Sequence, residues 1–325
     1  MSESGMVVVT GADGFIGRAL VARFEGAGRP CRALVRKIDP ARTAKPGVHA
    51  IGDLATASDA ELDAHLAGAS AVVHLAGRAH VLDETDPEPA APFASANVEA
   101  TVRVARAAVR ARVQRFLFAS TVKVNGEASA PGRPFKPTDP PDPRDEYARS
   151  KANAERELAA ICGGTSVSPI VLRLPLVYGP GVKGNFLALL DEVARARPLP
   201  LGAIRNHRSL VYVGNFADAI DAALDAPLPP AGVHFITDAE SVSVPALVTA
   251  VGKALGIPVR LKAVPVRLLA FAGQVTGRRA LIERLVGTLE ADPKSFTVAT
   301  GWRPRHSLAE GLDATARWWR LRHSI

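Results

Sequence analysis

Tyr147 and Lys151 stand four residues apart in the stretch DEYARSKANAE, residues 145–155. On a helix that spacing puts a phenol and an ammonium on one face. A phenol whose pKa is lowered by a neighbouring cation can give or take a proton near neutrality. The same spacing also describes an ordinary solvated helix face, and the stretch alone leaves both readings open. A second cluster is Gly11, Gly14 and Gly17 in VVVTGADGFIGRAL, where an apolar run gives way to a helical pattern. Glycine at these points allows a tight turn, a close backbone approach to a pyrophosphate and close helix packing, in that order. The free N–H groups of the helix start then face the anion. In this strand-to-helix setting the triplet reads as a dinucleotide-binding turn.

The elements that must hold these groups alternate along the first half of the chain. Short apolar runs at 6–10, 29–36, 70–77, 115–120 and 169–179 read as strands. Helical patterns lie between them at 15–28, 60–68, 93–111 and 145–163, the last preceded by a proline-rich loop at 131–143. Such alternation predicts an α/β fold, a Rossmann-type doubly wound parallel sheet covered by helices on both faces. Residues 1–178 are assigned to this domain, with 208–226 folding back onto it. Residues 179–325 are expected to form a smaller mixed α/β substrate lobe.

Composition narrows the function classes. The chain has 325 residues, 47% hydrophobic and 22% charged, as in a globular protein with a sizeable core. The polar MSESG runs straight into MVVVT without a charged-then-apolar leader. The longest apolar stretch, VPVRLLAFAGQV, is too short to span a bilayer and carries Arg267. A cytoplasmic protein without membrane partners is therefore expected. Cys31 and Cys162 support neither a disulfide framework nor a metal knuckle, and the eight histidines are scattered, so no metal site is expected. The net charge of +8 arises partly from RNHR at 205–208 and from Arg278 and Arg279. No long basic tract with interleaved aromatics accompanies it, which argues against nucleic acid and leaves an anion-binding cleft.

The ordered motifs resemble the extended branch of the short-chain dehydrogenase/reductase superfamily, the NAD-dependent epimerase/dehydratases, over nearly the whole chain. TGADGFIG looks like that branch's TGxxGFIG, with Phe15 and Ile16 inside the cofactor turn. GDL at 52–54 resembles the adenine-contacting segment, with Asp53 and Leu54. HLAG at 74–77 resembles the strand end beside the cofactor ribose, with Leu75, Ala76 and Gly77. Asn97 matches the family asparagine of the following helix. By the same resemblance Tyr147 is the acid–base, Lys151 holds the cofactor ribose and lowers the phenol's pKa, and Thr121 in FASTVKVNGE supplies a second hydroxyl beside Ser120. NAD-specific members carry an acid at the end of the second strand, whereas this chain has Arg36 and Lys37, with Arg18 nearby. A guanidinium there suits a 2′-phosphate, so NADP(H) is favoured over NAD(H).

The resemblance also suggests the substrate. Nucleotide-sugar dehydratases carry Asp-Glu after the threonine. Here Val122 and Lys123 follow, which disfavours loss of water. Asn185, Arg208 and, with less support, Arg279 match positions near a nucleotide diphosphate, while Gly214-Asn215 departs from a family aspartate. The expected activity is NADPH-dependent reduction at C4 of a UDP-2-acetamido-2,6-dideoxy-4-hexulose for surface-polysaccharide biosynthesis. The alternative is a UDP-hexose 4-epimerase with tightly held NAD, and the remote one a non-catalytic dinucleotide sensor. The family further implies a homodimer through the helices at 91–112 and 145–163.

Overall fold

The computed structural model describes residues 5–38, 47–79, 90–277 and 279–323; Arg278, one of the basic residues noted in the sequence, lies outside them. Seven strands form one sheet: β1 (Met6–Thr10), β2 (Cys31–Val35), β3 (Val48–Ala50), β4 (Ala69–His74), β5 (Arg115–Thr121), β6 (Ser168–Leu174) and, after the short pair β7 (Leu176–Tyr178) and β8 (Leu210–Tyr212), β9 (Gly232–Phe235). Their order is β3-β2-β1-β4-β5-β6-β9, and every neighbouring pair is parallel. Parallel strands covered on both faces can be apolar at consecutive positions. Val7 and Val9 of β1 thus enter one core, with Leu117 and Ile170, while Val8 enters the other, with Val72, Phe116 and Phe118.

On the first face lie α1 (Phe15–Gly26) and α7 (Val213–Asp225), which contribute Leu20, Phe24, Phe216 and Ile220 to that core. Arg23 pairs with Asp218 and Asp221, and Arg29 with Asp225 at 2.6 Å, so the two helices are also joined at their rims. On the second face lie α2 (Asp59–Leu66), α4 (Ala100–Arg110) and α5 (Glu146–Cys162). The helical pattern at 93–111 is not one regular helix. A short α3 (Ala90–Phe93) leads into a π-helical turn, Ala94–Glu99, before α4 begins. Such a wide turn re-aims one side chain, and here it contains the buried Asn97.

Beyond residue 179 the chain serves both layers. β9 extends the main sheet beside β6, a strand of four residues whose His234 and neighbouring Pro230 hide it from an apolar-run reading. The remaining elements include α6 (Gly184–Ala194), α8 (Val244–Leu255), α9 (Val266–Val275), α10 (Arg279–Val286), α11 (Lys294–Thr300) and α12 (Leu308–His323). Phe296 of α11 and Trp302 return to the first sheet core. The other helices enclose a separate core containing Tyr178, Phe186, Leu190, Val248, Leu312 and Trp319.

One buried ion pair ties the sheet to α5. Arg173 of β6 meets Glu155 of α5 through Nη2–Oε2 at 2.5 Å and Nε–Oε1 at 3.0 Å. Ser120 also donates to Glu155, and Asn125 Oδ1 accepts from Arg173 at 2.8 Å. Removing one partner of such a pair leaves an uncompensated charge in the interior. Glu155→Ala is therefore expected to lower the unfolding free energy by roughly 3–5 kcal/mol in urea titration, while a Glu155→Leu/Arg173→Met double variant recovers most of the loss.

Candidate active site

The site is assembled from strand ends at the carboxyl edge of the sheet. Gly11, with φ of +65°, turns the chain out of β1, and a Cβ there would lie 2.7 Å from the backbone nitrogen of Ala76. A Cβ on Gly17 would strike the Gly11 carbonyl and lie 2.7 Å from Ala12 Cα. The two glycines therefore let β1, α1 and the end of β4 approach more closely than any side chain allows. Gly14 is the N-cap of α1; it offers no side-chain cap, and the first turn carries no acid. The first N–H groups of α1, from Phe15 to Gly17, are thus left for an external acceptor.

Arg36 and Lys37 follow β2 as exposed side chains with no carboxylate partner among the described residues. The Arg36 carbonyl accepts from Gly52 N at 3.2 Å, which brings the 52–54 turn alongside. Within that turn Leu54 is buried and Asp53 is exposed, one of its oxygens accepting from Ala55 N at 3.0 Å. Arg18 is exposed on α1 and would lie 3.4 Å from a Cβ placed on Gly181. These residues bring together backbone donors, one exposed acid and exposed cations, groups of the kind a dinucleotide needs.

A buried polar chain supports the end of β4. Thr10 Oγ1 accepts from Ala76 N at 3.3 Å, so its proton goes to His74 Nδ1 at 2.7 Å. His74 Nε2 then donates to Thr101 Oγ1 at 3.1 Å, because Thr101 donates its own proton to the Asn97 carbonyl at 2.6 Å. This order assigns a neutral His74 with its proton on Nε2. Burial, and secondarily the nearby Lys151, push the His74 pKa down to about 3. Asn97 uses its whole amide inside the protein. Its Oδ1 accepts from Arg78 N at 2.8 Å, and its Nδ2 donates to Arg78 O at 3.1 Å and Ser150 Oγ at 2.8 Å. It thus clamps the loop after Leu75, Ala76 and Gly77 to α5. A Cβ on Gly77 would lie 2.7 Å from Asn97 Oδ1 and 3.8 Å from Lys151 Nζ.

On α5, Asp145 is the N-cap, accepting from Ala148 N at 2.7 Å, and this start turns Tyr147 and Lys151 toward the sheet. Lys151 is buried with Nζ 4.1 Å from the Phe118 ring centroid. Burial pushes its pKa down to about 7, opposed by Glu155. Thr121, at the end of β5, caps the following turn by accepting from Lys123 N at 3.3 Å, and its hydroxyl lies close enough to the Tyr147 phenol to act on its pKa. Burial, with the Asp145 charge second, pushes the phenol up to about 12, while the Thr121 hydroxyl pulls it down. The protein's own groups therefore do not bring the phenol toward neutrality. Lys123 pairs with Asp145, the carboxylate whose charge the phenol feels, with Nζ 2.6 Å from Oδ2.

Strand alternation separates the two hydroxyls of the FAST motif. Thr121 meets Tyr147, whereas Ser120 faces Glu155 and lies in the interior pair. On the other lobe, Arg208 is half-buried and donates through Nη1 to the carbonyls of Arg284 at 2.7 Å and Gly287 at 3.0 Å. No carboxylate contacts it among the described residues, and burial lowers its pKa. Arg284, which no sequence motif singles out, lies between Arg208 and the start of α5. Its Nη2 is 3.6 Å from Glu127, and Asp145 feels its charge. The RLVGTLEAD run that contains it carries a basic residue at a helix end, but spacing alone gives it no partner. Arg279 is exposed and ion-paired with Glu283 at 2.7 Å. Asn185 is exposed in the first turn of α6, and no hydrogen bond joins it to Arg208 or Tyr147 among the described residues. Asn215 donates to the buried Asp238 at 2.7 Å, where an aspartate would face a like charge.

Residues 7–235 match the model of the NAD dependent epimerase/dehydratase family. The chain belongs to that family. It is also 35% identical to a UDP-glucose 4-epimerase of Vibrio cholerae, over 96% of this chain and 94% of the relative. An N-acetyl-alpha-D-glucosaminyl-diphospho-ditrans,octacis-undecaprenol 4-epimerase of Escherichia coli O157:H7 is 25% identical, over the same shares of each chain. Among solved structures, MoeE5 in complex with UDP-glucuronic acid and NAD superposes with a TM-score of 0.76 at 27% identity, covering 99% of this chain and 100% of that one. The chain is accordingly an NAD(P)-dependent enzyme with the Rossmann-type fold. No helix among the described residues is long and apolar enough to cross a membrane.

The buried ammonium of this epimerase/dehydratase-family enzyme has a thermodynamic consequence. The folded pKa of Lys151, about 7, lies below its ordinary value of 10.5, so between them the unfolded chain binds more protons. Stability from this group is fully present above 10.5 and falls as pH drops toward 7. Wild-type protein is expected to gain unfolding free energy over that window relative to Lys151→Met, with a difference in slope of up to about 1.4 kcal/mol per pH unit. Urea titrations of the two proteins at several pH values measure it.

Proposed function

We propose that the protein is a nucleotide-sugar oxidoreductase acting at sugar C4, and that it reduces a UDP-linked 4-keto-hexose of the 2-acetamido-2,6-dideoxy type with NADPH. The observation that carries this reading is the Thr121 hydroxyl close to the Tyr147 phenol, on the helix that carries buried Lys151, with Asp145, the carboxylate whose charge the phenol feels, paired with Lys123. Lys123 stands where a dehydratase needs an acid, and Asp145 is committed to Lys123 and Ala148 N. The Gly11 and Gly17 approach, which any Cβ would fill, and the uncapped α1 start fit the pyrophosphate. In this reading Asp53 and Leu54 hold the adenosine, and Gly77, where a Cβ would lie 3.8 Å from Lys151 Nζ, leaves room for the ribose. When bound, the nicotinamide supplies hydride to C4.

The chain's own residues do the rest. Thr121 donates a hydrogen bond to the C4 oxygen and orients it, and Tyr147 protonates that oxygen as it gains negative charge. Lys151 holds the ribose side of the site and restrains the phenol. Arg208 and Arg284, adjacent across the end of α10, hold the diphosphate, with Asn185 at the start of α6 as a further donor. Arg36, exposed and without an acidic partner among the described residues, favours a 2′-phosphate on the cofactor. The second reading, a UDP-hexose 4-epimerase retaining NAD, is supported by the Vibrio cholerae relative and by the UDP-sugar and NAD named for MoeE5.

A UDP-4-keto sugar offered with NADPH and with NADH separates these readings. The proposal expects one NADPH oxidised per sugar reduced; interconversion of UDP-hexoses without net cofactor use selects the epimerase. Tyr147→Phe is expected to lower kcat by roughly a hundred- to ten-thousandfold with KM little changed. Arg36→Glu is expected to raise KM for NADPH roughly ten- to hundredfold and to spare NADH. For the sugar nucleotide, Arg284→Ala is expected to raise KM at least about tenfold, against little change for Arg279→Ala.

A further inference from the structure

Helix α9 is apolar on the side that faces away from the protein. Its inward side is Leu269 and Gly273, its two buried residues. Leu268, Phe271 and Val275, at helical spacing, form a stripe on the opposite side and are 58%, 66% and 71% exposed. The other strongly exposed large apolar residues, such as Leu228 and Val298, stand singly on separate elements, as is ordinary for a protein surface.

Charge says what covers this stripe. From Ser241 to Ile282 the chain contains no aspartate or glutamate and six basic residues. Three of them, Arg260, Lys262 and Arg267, are exposed on the segment that leads into α9 or on its first turn. No carboxylate contacts these three among the described residues. A second copy of the chain meeting this face about a two-fold axis would set like charges against one another. An acidic surface that also accepts apolar side chains satisfies both features. At ten residues, α9 is about 15 Å long, too short to span a bilayer but enough to lie in its interface.

We propose that α9 docks the enzyme on an anionic lipid surface, with Leu268, Phe271 and Val275 inserted at the headgroup boundary and Arg260, Lys262 and Arg267 over the lipid phosphates. Attachment is peripheral and salt-sensitive, since the basic residues act over about a Debye length. The site of hydride chemistry is not involved, so the docking stands or falls independently of the proposed reaction.

Cosedimentation of the full chain with vesicles tests this. Phosphatidylcholine vesicles are compared with vesicles containing about one-third phosphatidylglycerol, at low and high salt. The expected result is binding to the anionic vesicles alone, weakened by salt. The triple variant Leu268→Ser/Phe271→Ser/Val275→Ser is expected to weaken it roughly ten- to hundredfold, and Arg267→Glu about tenfold, with unchanged thermal midpoints. The proposal is overturned if wild-type protein ignores anionic vesicles. It is equally overturned if the triple variant binds them as well as wild type. Concentration-dependent self-association that the triple variant abolishes, without vesicle binding, would assign the face to a second copy instead.

Discussion

The arrangement of the site depends on keeping the Lys151 ammonium out of water. A buried cation without a carboxylate in contact is costly to hold, and it is stable only where the surroundings are fixed. The ring of Phe118 lies 4.1 Å from Nζ and gives it a weakly attractive face. His74, stacked on Phe118 with 5.8 Å between centroids, stays neutral and so adds no second positive charge. Gly77 leaves the space above Nζ open, since a side chain there would meet Asn97 and approach the ammonium.

Two interior polar systems hold this arrangement. The chain from Thr10 through His74 and Thr101 to Asn97 fixes where β4 ends and ties that end to α5 through Ser150. The Arg173–Glu155 pair, with Ser120 and Asn125, fixes α5 against β5 and β6. Each group in these systems has its partner inside the protein, so the networks resist displacement and hold the elements that carry Tyr147, Thr121 and Lys151. The placing of Tyr147, Thr121 and Lys151 thus rests on buried polar residues from separate strands and helices.

Much of this architecture is legible in the amino-acid sequence. The glycine turn, the strand-helix alternation and the Tyr147–Lys151 spacing are local patterns, and local sterics decide them. Thr121 is also reachable, through the resemblance of FASTVKVNGE to the family motif. The residues that are harder to read share one property: their partners are distant in sequence. Ser120 reads as the substrate-side neighbour of Thr121, yet the alternation of β5 turns it to Glu155, 35 positions away. Asn97 reads as part of a regular helix, and only the π-helical turn brings its amide to Arg78 and Ser150. Arg279 and Arg284 are alike as isolated basic residues until α10 places the first in solvent and the second beside Glu127.

The sequence by itself determined the class of fold, because glycine sterics and apolar periodicity act within a few residues, and the kind of chemistry through the resemblance of its ordered motifs to a family. Tertiary structure alone decided which polar groups are free to react. Ser120 and Asn97 are spent inside the protein, Asp145 is neutralised by Lys123, and Arg208 meets carbonyls rather than an acid among the described residues. The availability of a polar side chain depends on every partner within hydrogen-bond reach, and those partners come from separate strands and helices that only the packed fold brings together.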